Sequence, residues 1–432
     1  MLTYLMMRLN PIRPLPKMGI QFTSNFVPIY LRIIKKFMSE HHTITRPVIV
    51  QILPALNRGG VERGTVEIAR AIIDRGYKAV VVSNGGLFET QLVRLGVTVH
   101  RLPVHSKNPF RWPLIRSRLA TILQSEGADI VHVRSRAPAW IALPVATRLS
   151  MATVATIHSK FVPQNAIKHI YNRKMLKADS VIAISDFIKS IIVKHYRQHR
   201  PADSVTVIHR GVDTAIFDPS SVTQHRIIRE AERLNLPEEG FVIMLPARPT
   251  SWKGHEVLIK AVAALNRPDV TLLLLGAGDG APRFVAGLEQ LARKTGLDGR
   301  LRIAAGSDDM PSALMLADVI AMPSTVPEPF GRVAVEAGAM GRPIVAFNHG
   351  GAVESVLNGQ TGWLAEPGDI SDLSRALGTA LDLSQEKRAE LAKKSRAHII
   401  KSFSKEKMCQ KTLEIYDELL QNRARTSDNI IR

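Results

Sequence analysis

The chain has 432 residues, of which 45% are hydrophobic and 22% are charged, the composition of a globular protein large enough for two domains. Its single cysteine, Cys409, excludes an internal disulfide and a cysteine-based zinc cluster, and it suits a reducing cytosol. No apolar stretch is long enough to span a bilayer, and the formal net charge of +20 at pH 7 points to an anionic partner.

The positive charge is confined to the first half of the chain. Residues 1–46 hold 7 Lys and Arg against 1 acidic residue, residues 47–212 hold 24 against 9, and residues 213–432 hold 27 against 28. One basic half beside a neutral half favours a domain that faces an anionic partner, with general solubility as the alternative. A nucleic-acid partner is not expected, because aromatic residues make up only 5% of the chain and form no platform among the basic ones.

Residues 1–46 are predicted to form a basic amphipathic extension. Within it, Phe26 to Met38 mixes apolar and basic side chains, as a helix lying at a membrane surface does. We therefore expect a peripheral contact with an anionic membrane. No small-residue cleavage site follows, so a secretory signal is not expected, although Met18 or Met38 could begin a shorter native chain.

Short apolar runs alternate with helical patterns from Pro47 onward, and two series of them are typical of buried parallel strands. The first series is Val48–Leu53, Ala79–Ser83, Val97–Leu102, Asp129–Val133, Thr153–Ile157, Val181–Ile184 and Val205–Ile208. The second is Phe241–Leu245, Val270–Leu275, Leu301–Ala304, Val319–Met322 and Ile344–Phe347. This alternation predicts an α/β fold of two doubly wound, Rossmann-like domains at residues 47–215 and 216–404. A C-terminal helix at residues 405–432 is expected to pack back across their junction.

Gly59 and Gly60 follow the first strand and open the first helix. Paired glycines let the backbone approach a phosphate or a sugar, and the helix N-terminus favours an anion there. The spacing is not the G-x-G-x-x-G of a dinucleotide fold, and Ser83 and Asn84 rather than an acid end the second strand, which disfavours NAD. A tight turn without a ligand is the alternative.

The second domain carries two loops suited to phosphate. Gly276 and Gly278 begin a G-x-G-x-x-A pattern after its second strand, which predicts either a loop that approaches a phosphate or a plain turn. Arg248 and Lys253 follow its first strand, at the carboxyl edge of the sheet. Two permanent cations there would neutralise a diphosphate and stabilise it as it leaves a sugar.

Glu328 and Glu336 stand eight positions apart, and Pro329 and Gly331 between them interrupt any helix. Glu328 is therefore expected on a loop, and Glu336 one turn inside the following helix. Carboxylates so placed can accept hydrogen bonds from hydroxyls at two ends of an elongated ligand, while free backbone N–H groups face its polar middle. A nucleotide sugar fits such a site; an acidic loop before an ordinary helix is the alternative.

Together these motifs resemble the retaining glycosyltransferases of family 4, and are similar to bacterial enzymes that add hexoses to the lipopolysaccharide core and other envelope glycans. The resemblance covers residues 47–425 and leaves out the first 46. It implies the GT-B architecture, in which two Rossmann-like domains face each other across a deep cleft. Three further stretches support it: Thr156 to His158, Gly350 to Glu354 and Gly359 to Gly362.

The resemblance implies a role for each motif residue. The implied catalytic residues are His158, Arg248, Lys253 and Glu328. The implied donor-binding residues are Gly59, Gly60, Gly276, Gly278, Ser307, Phe330, Gly331 and Glu336. The two cations would hold the donor diphosphate, and Glu336 the ribose hydroxyls. Glu328 would fix the transferred sugar together with the backbone N–H groups of Phe330 and Gly331. His158 would touch the sugar near the reaction centre, with a structural histidine as the alternative.

The resemblance implies no metal and no other cofactor. Retention in this family is ascribed to attack on the same face of the sugar, where a donor phosphate oxygen takes the acceptor proton and no protein nucleophile is needed. The chain has no Asp-x-Asp motif that would hold a metal. The loop at Ser307 reads the base through backbone contacts in this family, so UDP, GDP and ADP are not distinguished.

We therefore expect a cytoplasmic enzyme, on the inner face of the plasma membrane, that moves a hexose from a nucleotide diphosphate sugar to an anionic or lipid-linked glycan. The product would belong to lipopolysaccharide or another cell-envelope glycan. The acceptor would meet the basic first domain, where the candidate cations are Arg134, Arg136, Lys160, Arg173, Lys174 and Lys177. A nucleotide-sugar epimerase of similar fold and a non-catalytic membrane-associated scaffold are the alternatives.

Overall fold

The computed structural model describes residues 46–57 and 59–431, with side chains up to residue 425. The chain from Pro47 onward forms one compact unit. The amphipathic extension predicted within residues 1–46 lies outside the described residues, so the membrane contact expected of it stays a prediction. Within the described part of the chain, no helix combines the length and the apolar character needed to cross a membrane.

The first half is built on a seven-stranded parallel sheet in the order β3-β2-β1-β4-β5-β6-β7. Its strands are β1 (Val48–Ile52), β2 (Lys78–Ser83), β3 (Thr98–Arg101), β4 (Ile130–Val133), β5 (Ala152–Ile157), β6 (Ser180–Ala183) and β7 (Val205–Val207). The inner strands β1, β4 and β5 are buried at every position, because helices cover both faces of a parallel sheet. The strand order reverses between β1 and β4, which opens a crevice at the carboxyl ends of these two strands.

Helices fill the connections between these strands. They are α1 (Gly60–Asp74), α2 (Glu89–Arg94), α3 (Trp112–Glu126), α4 (Arg136–Arg148), α5 (Ala166–Arg173) and α6 (Asp186–Tyr196). In α1 the buried residues Thr65, Ile68, Ala69 and Ile72 recur every three to four positions, so one stripe of the helix faces the sheet. The helix thereby presents its N-terminus at the carboxyl edge of β1.

The second half contains a six-stranded parallel sheet in the order β10-β9-β8-β11-β12-β13. Its strands are β8 (Phe241–Pro246), β9 (Val270–Leu275), β10 (Leu301–Ala304), β11 (Val319–Met322), β12 (Ile344–Phe347) and β13 (Trp363–Ala365). Sequence analysis missed β13, because three residues are too few to show a pattern. The strand reaches β12 through Gly362, where an added Cβ would lie 2.5 Å from the carbonyl oxygen of Ile344.

Seven helices accompany this second sheet, and two more follow it. The seven are α7 (Gln224–Arg233), α8 (His255–Ala264), α9 (Pro282–Lys294), α10 (Met310–Met315), α11 (Arg332–Ala339), α12 (Ala352–Ser355) and α13 (Ile370–Leu381). The last two are α14 (Gln385–Phe403), which packs on α11, and α15 (Lys405–Ile431), which packs on α1 in the first half. The predicted fold class, two doubly wound Rossmann-like domains of GT-B type, is confirmed.

The C-terminal helix α15 is tied into the first half by buried polar contacts. The hydroxyl of Tyr416 lies 2.6 Å from His132 Nδ1, and His132 Nε2 lies 2.7 Å from Thr156 Oγ1. All three side chains are buried, so each polar atom needs the partner it has. The last helix is therefore part of the first domain's core.

The chain passes between the two halves at two places that touch each other. After β7, Val212 N–H donates to the carbonyl oxygen of Phe403, and Lys405 N–H donates back to the carbonyl oxygen of Val212, both at 2.9 Å. A Cβ on Gly211 would lie 2.4 Å from Lys405 Cα, so the close approach requires glycine. The two passages thus form one narrow junction.

Candidate active site

A cavity of about 410 Å³ lies between the carboxyl edges of the two sheets. The first half lines it with the start of α1 and with residues that follow β5 and β7; the second half lines it with the loops after β8 and β11. Among the lining residues are Gly60, His158, Arg210, Arg248, Lys253, Glu328, Phe330, Gly331 and Arg332. Guanidinium, ammonium, carboxylate and imidazole groups converge here, which suits a ligand that carries both negative charge and hydroxyl groups.

The loop after β8 supplies two of the cations. Lys253 Nζ lies 2.8 Å from Glu328 Oε1 and 4.5 Å from the centre of the Trp252 ring. Arg248, at the start of the loop, is exposed and faces the cavity. Gly254 has φ +81°, and a Cβ there would lie 1.9 Å from the carbonyl oxygen of Pro323. Only glycine therefore lets this loop press against the end of β11, which brings Lys253 to Glu328.

Glu328 is held in place by its side-chain partners and by two glycines behind its backbone. Its Oε1 accepts hydrogen bonds from Lys253 Nζ and from Ser324 Oγ, and the residue is only 9% exposed. A Cβ on Gly350 would lie 2.6 Å from the carbonyl oxygen of Glu328, and one on Gly351 would lie 2.4 Å from the Cα of Phe330. Gly350 and Gly351, noted in the sequence without a role, thus fix the backbone that carries the carboxylate.

Helix α11 begins directly after this loop. Gly331 precedes it with φ +85°, a left-handed conformation that favours glycine, and Phe330 is 3% exposed. Glu336 lies one turn inside the helix, where its carboxylate pairs with Arg332 Nη2 at 2.5 Å. Arg332 lines the cavity and Glu336 lies behind it. The role predicted for Glu336, binding the ribose hydroxyls, stays a prediction, and in this structure Arg332 occupies its carboxylate.

His158 follows β5 and meets Arg210, which follows β7. Arg210 Nη1 lies 3.3 Å from His158 Nδ1, and since a guanidinium only donates, Nδ1 is the acceptor and the ring proton is on Nε2. Burial, with the charges of Arg134 and Arg210, holds the pKa of His158 well below its usual value, so the ring is neutral at pH 7. Its Nε2 is buried and has no hydrogen-bond partner among the described residues. His158 therefore offers one unused N–H donor.

Arg210 and Arg134 make the N-terminus of α1 strongly positive. Arg210 Nη2 donates to the carbonyl oxygen of Gly60, and a Cβ on Gly64 would lie 3.0 Å from Arg210 Nη2 and 3.1 Å from Arg134 Nη2. Burial, followed by the charges of Arg332 and Arg134, lowers the pKa of Arg210 to about 9, so it remains charged at pH 7. Clustered guanidinium groups at a helix N-terminus form a site for an anion.

Four predicted donor-binding residues lie outside this cavity, as Glu336 does. Gly59 caps α1 in an extended conformation beside Gly60. The N–H groups of Gly276 and Gly278 both donate to the carbonyl oxygen of Ala304, and a Cβ on Gly278 would lie 2.8 Å from the carbonyl carbon of that residue. Ser307 Oγ accepts the N–H of Asp309. These glycines let the loop after β9 pack against β10, and their predicted contacts with the donor stay predictions.

The structure gathers seven predicted residues around one cavity, and sequence reasoning missed two others. The gathered residues are Gly60, His158, Arg248, Lys253, Glu328, Phe330 and Gly331. The missed ones are Arg210 and Arg332, which bring two further cations to it. Arg210 carried a usable signal, since it is a charged residue just beyond the carboxyl end of an apolar strand.

A second cavity, of about 280 Å³, lies at the point where the strand order of the first sheet reverses. It shares Val61 and His158 with the first cavity. Arg134 and Arg136 line it, and Arg136 Nη1 donates to Asn172 Oδ1 at 3.0 Å. The other basic candidates, Lys160, Arg173, Lys174 and Lys177, are outside its lining. Two cavities thus meet at His158: four cations line the first, and Arg134 and Arg136 line the second.

One group of described residues has the composition of a metal site. Asp186, His209 and Glu354 bring ligand atoms within 4.8 Å of one another. Glu354, however, accepts the backbone N–H groups of Asp186 (2.9 Å) and Phe187 (2.8 Å). It also lies 2.7 Å from His209 Nε2. The group therefore joins α12 of the second half to α6 of the first, and it does not line either cavity.

Comparison with known proteins places both halves in one family. The family model Glycosyltransferase Family 4 matches residues 58–216, and the model Glycosyl transferases group 1 matches residues 227–398. A crystal structure of a glycosyltransferase from Rickettsia africae ESF-5 is 33% identical, covers 87% of this chain and 99% of its own, and superposes with a TM-score of 0.81.

Two other similar proteins have names that state a bound ligand or a substrate. HepE of Anabaena, solved in complex with UDP-glucose, is 25% identical, with 86% of this chain and 99% of that chain covered and a TM-score of 0.73. The D-inositol 3-phosphate glycosyltransferase of Salinispora tropica is 35% identical over 52% of this chain, and the match spans only 48% of that relative's length. With the two family models and a structural match over 87% of its length, the chain belongs to glycosyltransferase family 4.

Proposed function

We propose that the chain is a retaining glycosyltransferase that moves a hexose from a nucleotide diphosphate sugar to an anionic acceptor. The observation that carries this proposal is the convergence of His158, Arg248, Lys253 and Glu328 on one cavity of about 410 Å³. The UDP-glucose bound to HepE supports a nucleotide sugar as the donor.

Arg248 and Lys253 are proposed to hold the diphosphate of the donor. As the bond from the sugar to the phosphate breaks, negative charge grows on the leaving diphosphate. Cations already in place stabilise that charge without reorganising, and each such group contributes on the order of 3 kcal/mol to lowering the barrier. Lys253 is ready for this role because Glu328 and the ring of Trp252 fix its ammonium group.

Glu328 and His158 are proposed to orient the sugar. The carboxylate accepts from a hydroxyl, and the unused Nε2–H of His158 donates to an oxygen near the reacting carbon. Lys253 and Ser324 both bind Oε1 of Glu328, which fixes the carboxylate in this orienting role. We propose attack on the same face of the sugar, with the acceptor proton passing to an oxygen of the leaving phosphate.

The acceptor is proposed to bind in the second cavity, with its anionic group toward Arg134 and Arg136. This cavity shares His158 and Val61 with the donor cavity, so an acceptor hydroxyl there is near the sugar. The relative from Salinispora tropica is named for an acceptor that bears a phosphate. We place the reaction in the cytoplasm, in synthesis of lipopolysaccharide or another envelope glycan, whose intermediates carry such groups.

No metal is proposed to take part, because the fixed cations of the donor cavity supply the charge that a metal would. A thermal-unfolding experiment tests the donor proposal. UDP-glucose, GDP-mannose and ADP-glucose are each added to the protein, with and without EDTA. One of them should raise the melting temperature by about 5 °C at saturating concentration, whether or not EDTA is present.

The matched variants for this experiment are Lys253→Met and Lys260→Met, the second on an exposed position of α8. Lys253→Met should abolish the shift, while Lys260→Met should keep it. The proposal fails if none of the three sugars stabilises the protein, or if Lys253→Met responds as the wild type does. Conversion of the stabilising donor to an epimer in the absence of acceptor would favour an epimerase instead.

A further inference from the structure

Four large apolar side chains stand exposed near the N-termini of α3 and α5 in the first half. Phe110 is 92% exposed, Leu114 60%, Ile167 80% and Ile170 46%. Single exposed apolar residues need no explanation, but a cluster of them marks a surface that binds something.

A ladder of aromatic rings joins the two helices. The rings of Trp112 and Trp140 stack with centroids 5.6 Å apart, and those of Trp140 and Tyr171 stack at 6.1 Å. Trp140 Nε1 also donates to the carbonyl oxygen of Tyr171 at 3.0 Å. The ladder thus runs from the start of α3, across α4, to α5.

The exposed apolar residues flank the two ends of this ladder. Phe110 and Leu114 lie on either side of Trp112 in sequence. Ile167, Ile170 and Tyr171 recur at the spacing of one helix face. Two exposed apolar side chains therefore lie next to each end of the row of stacked rings.

The same surface is basic. Residues 97–178 contain 13 Lys and Arg against 2 acidic residues, Glu126 and Asp129. Glu126 ends α3, about 20 Å along the helix axis from Trp112, and pairs with Lys78 and His100. The ladder itself carries cations: Lys174 Nζ lies 5.7 Å from the centre of the Trp140 ring. Asp129, the other acidic residue of this segment, pairs with Arg423.

We propose that this surface docks on an anionic lipid bilayer. The docking face consists of Phe110, Leu114, Ile167 and Ile170 with the basic residues Lys107, Arg111, Arg118 and Lys174. Protruding apolar side chains ringed by Lys and Arg enter the boundary between headgroups and acyl chains, while the cations meet anionic headgroups. A nucleic acid fits less well, because the ring faces that would stack on bases are used within the ladder.

The docking face adjoins the second cavity. Arg136 lines that cavity, and its guanidinium donates to Asn172, the residue after Tyr171 in α5. A bilayer on the docking face therefore lies beside the mouth of the cavity, where it can present an acceptor anchored in lipid. This consequence rests on the proposed function, whereas docking itself does not.

Co-sedimentation of the full-length protein with vesicles tests the proposal. Two compositions are compared: phosphatidylcholine alone, and phosphatidylcholine with about 30 mol% phosphatidylglycerol. The wild type should bind the anionic vesicles and not the neutral ones, and binding should weaken as salt is added. Failure to bind anionic vesicles, or equal binding to both compositions, overturns the proposal.

Two variants and a matched control locate the binding surface. The apolar variant replaces Phe110, Leu114, Ile167 and Ile170 by serine, and the charge variant replaces Lys107, Arg111 and Arg118 by glutamine. The control replaces four exposed apolar residues elsewhere, Leu87, Val93, Ile228 and Ile400, by serine. Each docking-face variant should lose at least about tenfold in vesicle affinity, and the control should stay within about twofold of wild type.

Each variant is also checked for its melting temperature, its donor-induced stabilisation and its oligomeric state. The docking-face variants should keep the first two, so that loss of docking and loss of the proposed function are told apart. Vesicle binding by the apolar variant equal to wild type overturns the proposal. A change from dimer to monomer in that variant, with vesicle binding intact, would assign the face to self-association instead.

Discussion

At the residue scale, the tautomer and the protonation state of His158 decide which hydrogen bond the ring can offer to a ligand. Arg210 fixes its tautomer, and burial with the nearby positive charge keeps it neutral, so the ring can donate from Nε2 but is a poor acid. A neutral donor suits an oxygen that gains partial charge only in the transition state. An imidazolium beside Arg134 and Arg210 would add a third buried cation.

Replacing His158 tests this role. His158→Ala should lower kcat/KM for transfer about 100-fold, because one preplaced donor is lost from the site. His158→Gln should lose less, since the amide can donate from a similar position. His105→Ala, on an exposed loop of the same domain, serves as the control and should behave as wild type. Wild-type activity in His158→Ala would contradict the assigned contact.

Site residues could be predicted from the sequence where they lie on a loop directly after a recognisable strand. Arg248, Lys253 and Glu328 were found because each follows an apolar strand on a long loop at the carboxyl edge. Arg210 was missed although it follows a predicted strand, because the sequence does not show that the segment after β7 turns back onto the start of α1. Arg332 was missed because no pattern in the sequence shows that a residue in the first turn of α11 lines the cavity.

At the element scale, glycines set how closely the site-bearing loops pack. Gly254, Gly350 and Gly351 each stand where a Cβ would overlap backbone, and each positions a loop that carries a site residue. A glycine also allows helix α11 to pack closely against α14. A Cβ on Gly338 would lie 2.8 Å from Ile399 Cγ1 and 3.0 Å from Ser395 Oγ, both on α14.

Gly338 and Gly287 form a matched pair for testing this packing, since both are helical glycines. Gly338→Ala should lower the free energy of unfolding by about 1–3 kcal/mol, because the added methyl overpacks the contact between α11 and α14. Gly287→Ala, on α9 with no atom within 4 Å of the added Cβ, should raise it by about 0.5–1 kcal/mol. Urea unfolding of both variants measures the difference. A stabilised Gly338→Ala protein would contradict the close approach.

Strands were predicted correctly where they form long apolar runs in the sequence. They were missed where packing against a neighbouring strand determines their position. The long apolar runs of both sheets were recognised because buried parallel strands are apolar throughout. The three-residue β13 was missed, since its place comes from the contact of Gly362 with Ile344 and not from its own side chains.

At the scale of the whole molecule, Glu354 of the second half links the two halves through its contacts with the start of α6. Burial alone would raise the pKa of Glu354, but hydrogen bonds from His209 and from the N–H groups of Phe187 and Asp186 outweigh it, and the pKa is lowered. The carboxylate is therefore charged at neutral pH. Ser185 Oγ adds a second link by donating to the carbonyl oxygen of Pro329 at 2.6 Å.

The stability of the protein also depends on pH through two buried histidines of the first half, His132 and His158. Burial, with the charge of Arg134, holds the pKa of His132 and of His158 well below the ordinary value of 6.5. Below about pH 6.5 the unfolded chain binds protons at these positions and the folded protein does not. The free energy of unfolding should therefore fall as the pH is lowered, with a slope that approaches about 1.4 kcal/mol per pH unit for each histidine well below pH 6.5.

Urea unfolding between about pH 7.5 and pH 5.5 measures this slope. His158→Gln should reduce the total change in the free energy of unfolding over this range by about 1.4 kcal/mol, because one buried histidine no longer titrates. A stability that is flat across this range, or a slope unchanged in His158→Gln, would show that the histidines are not held neutral by the fold.

The sequence allowed the two sheets and the position of the cleft to be predicted, because the carboxyl edges of two doubly wound sheets are where ligands bind. It did not predict the buried hydrogen bond between Tyr416 and His132, since the sequence of α15 does not show which residue of the first half it contacts. The presence of two separate cavities that meet at His158, which we propose to be the donor and acceptor sites, is also seen only in the folded chain.

The most direct test of this division compares two rates in the same variants: hydrolysis of the stabilising donor, and transfer of its sugar into a phosphate-bearing glycolipid extract. Lys253→Met should lower both rates about 100-fold, because it acts on the leaving diphosphate. Arg136→Gln should lower transfer at least about tenfold and leave hydrolysis within about twofold of Arg148→Gln, a control at the far end of α4. Equal losses of both rates in Arg136→Gln, or unchanged hydrolysis in Lys253→Met, would contradict the account.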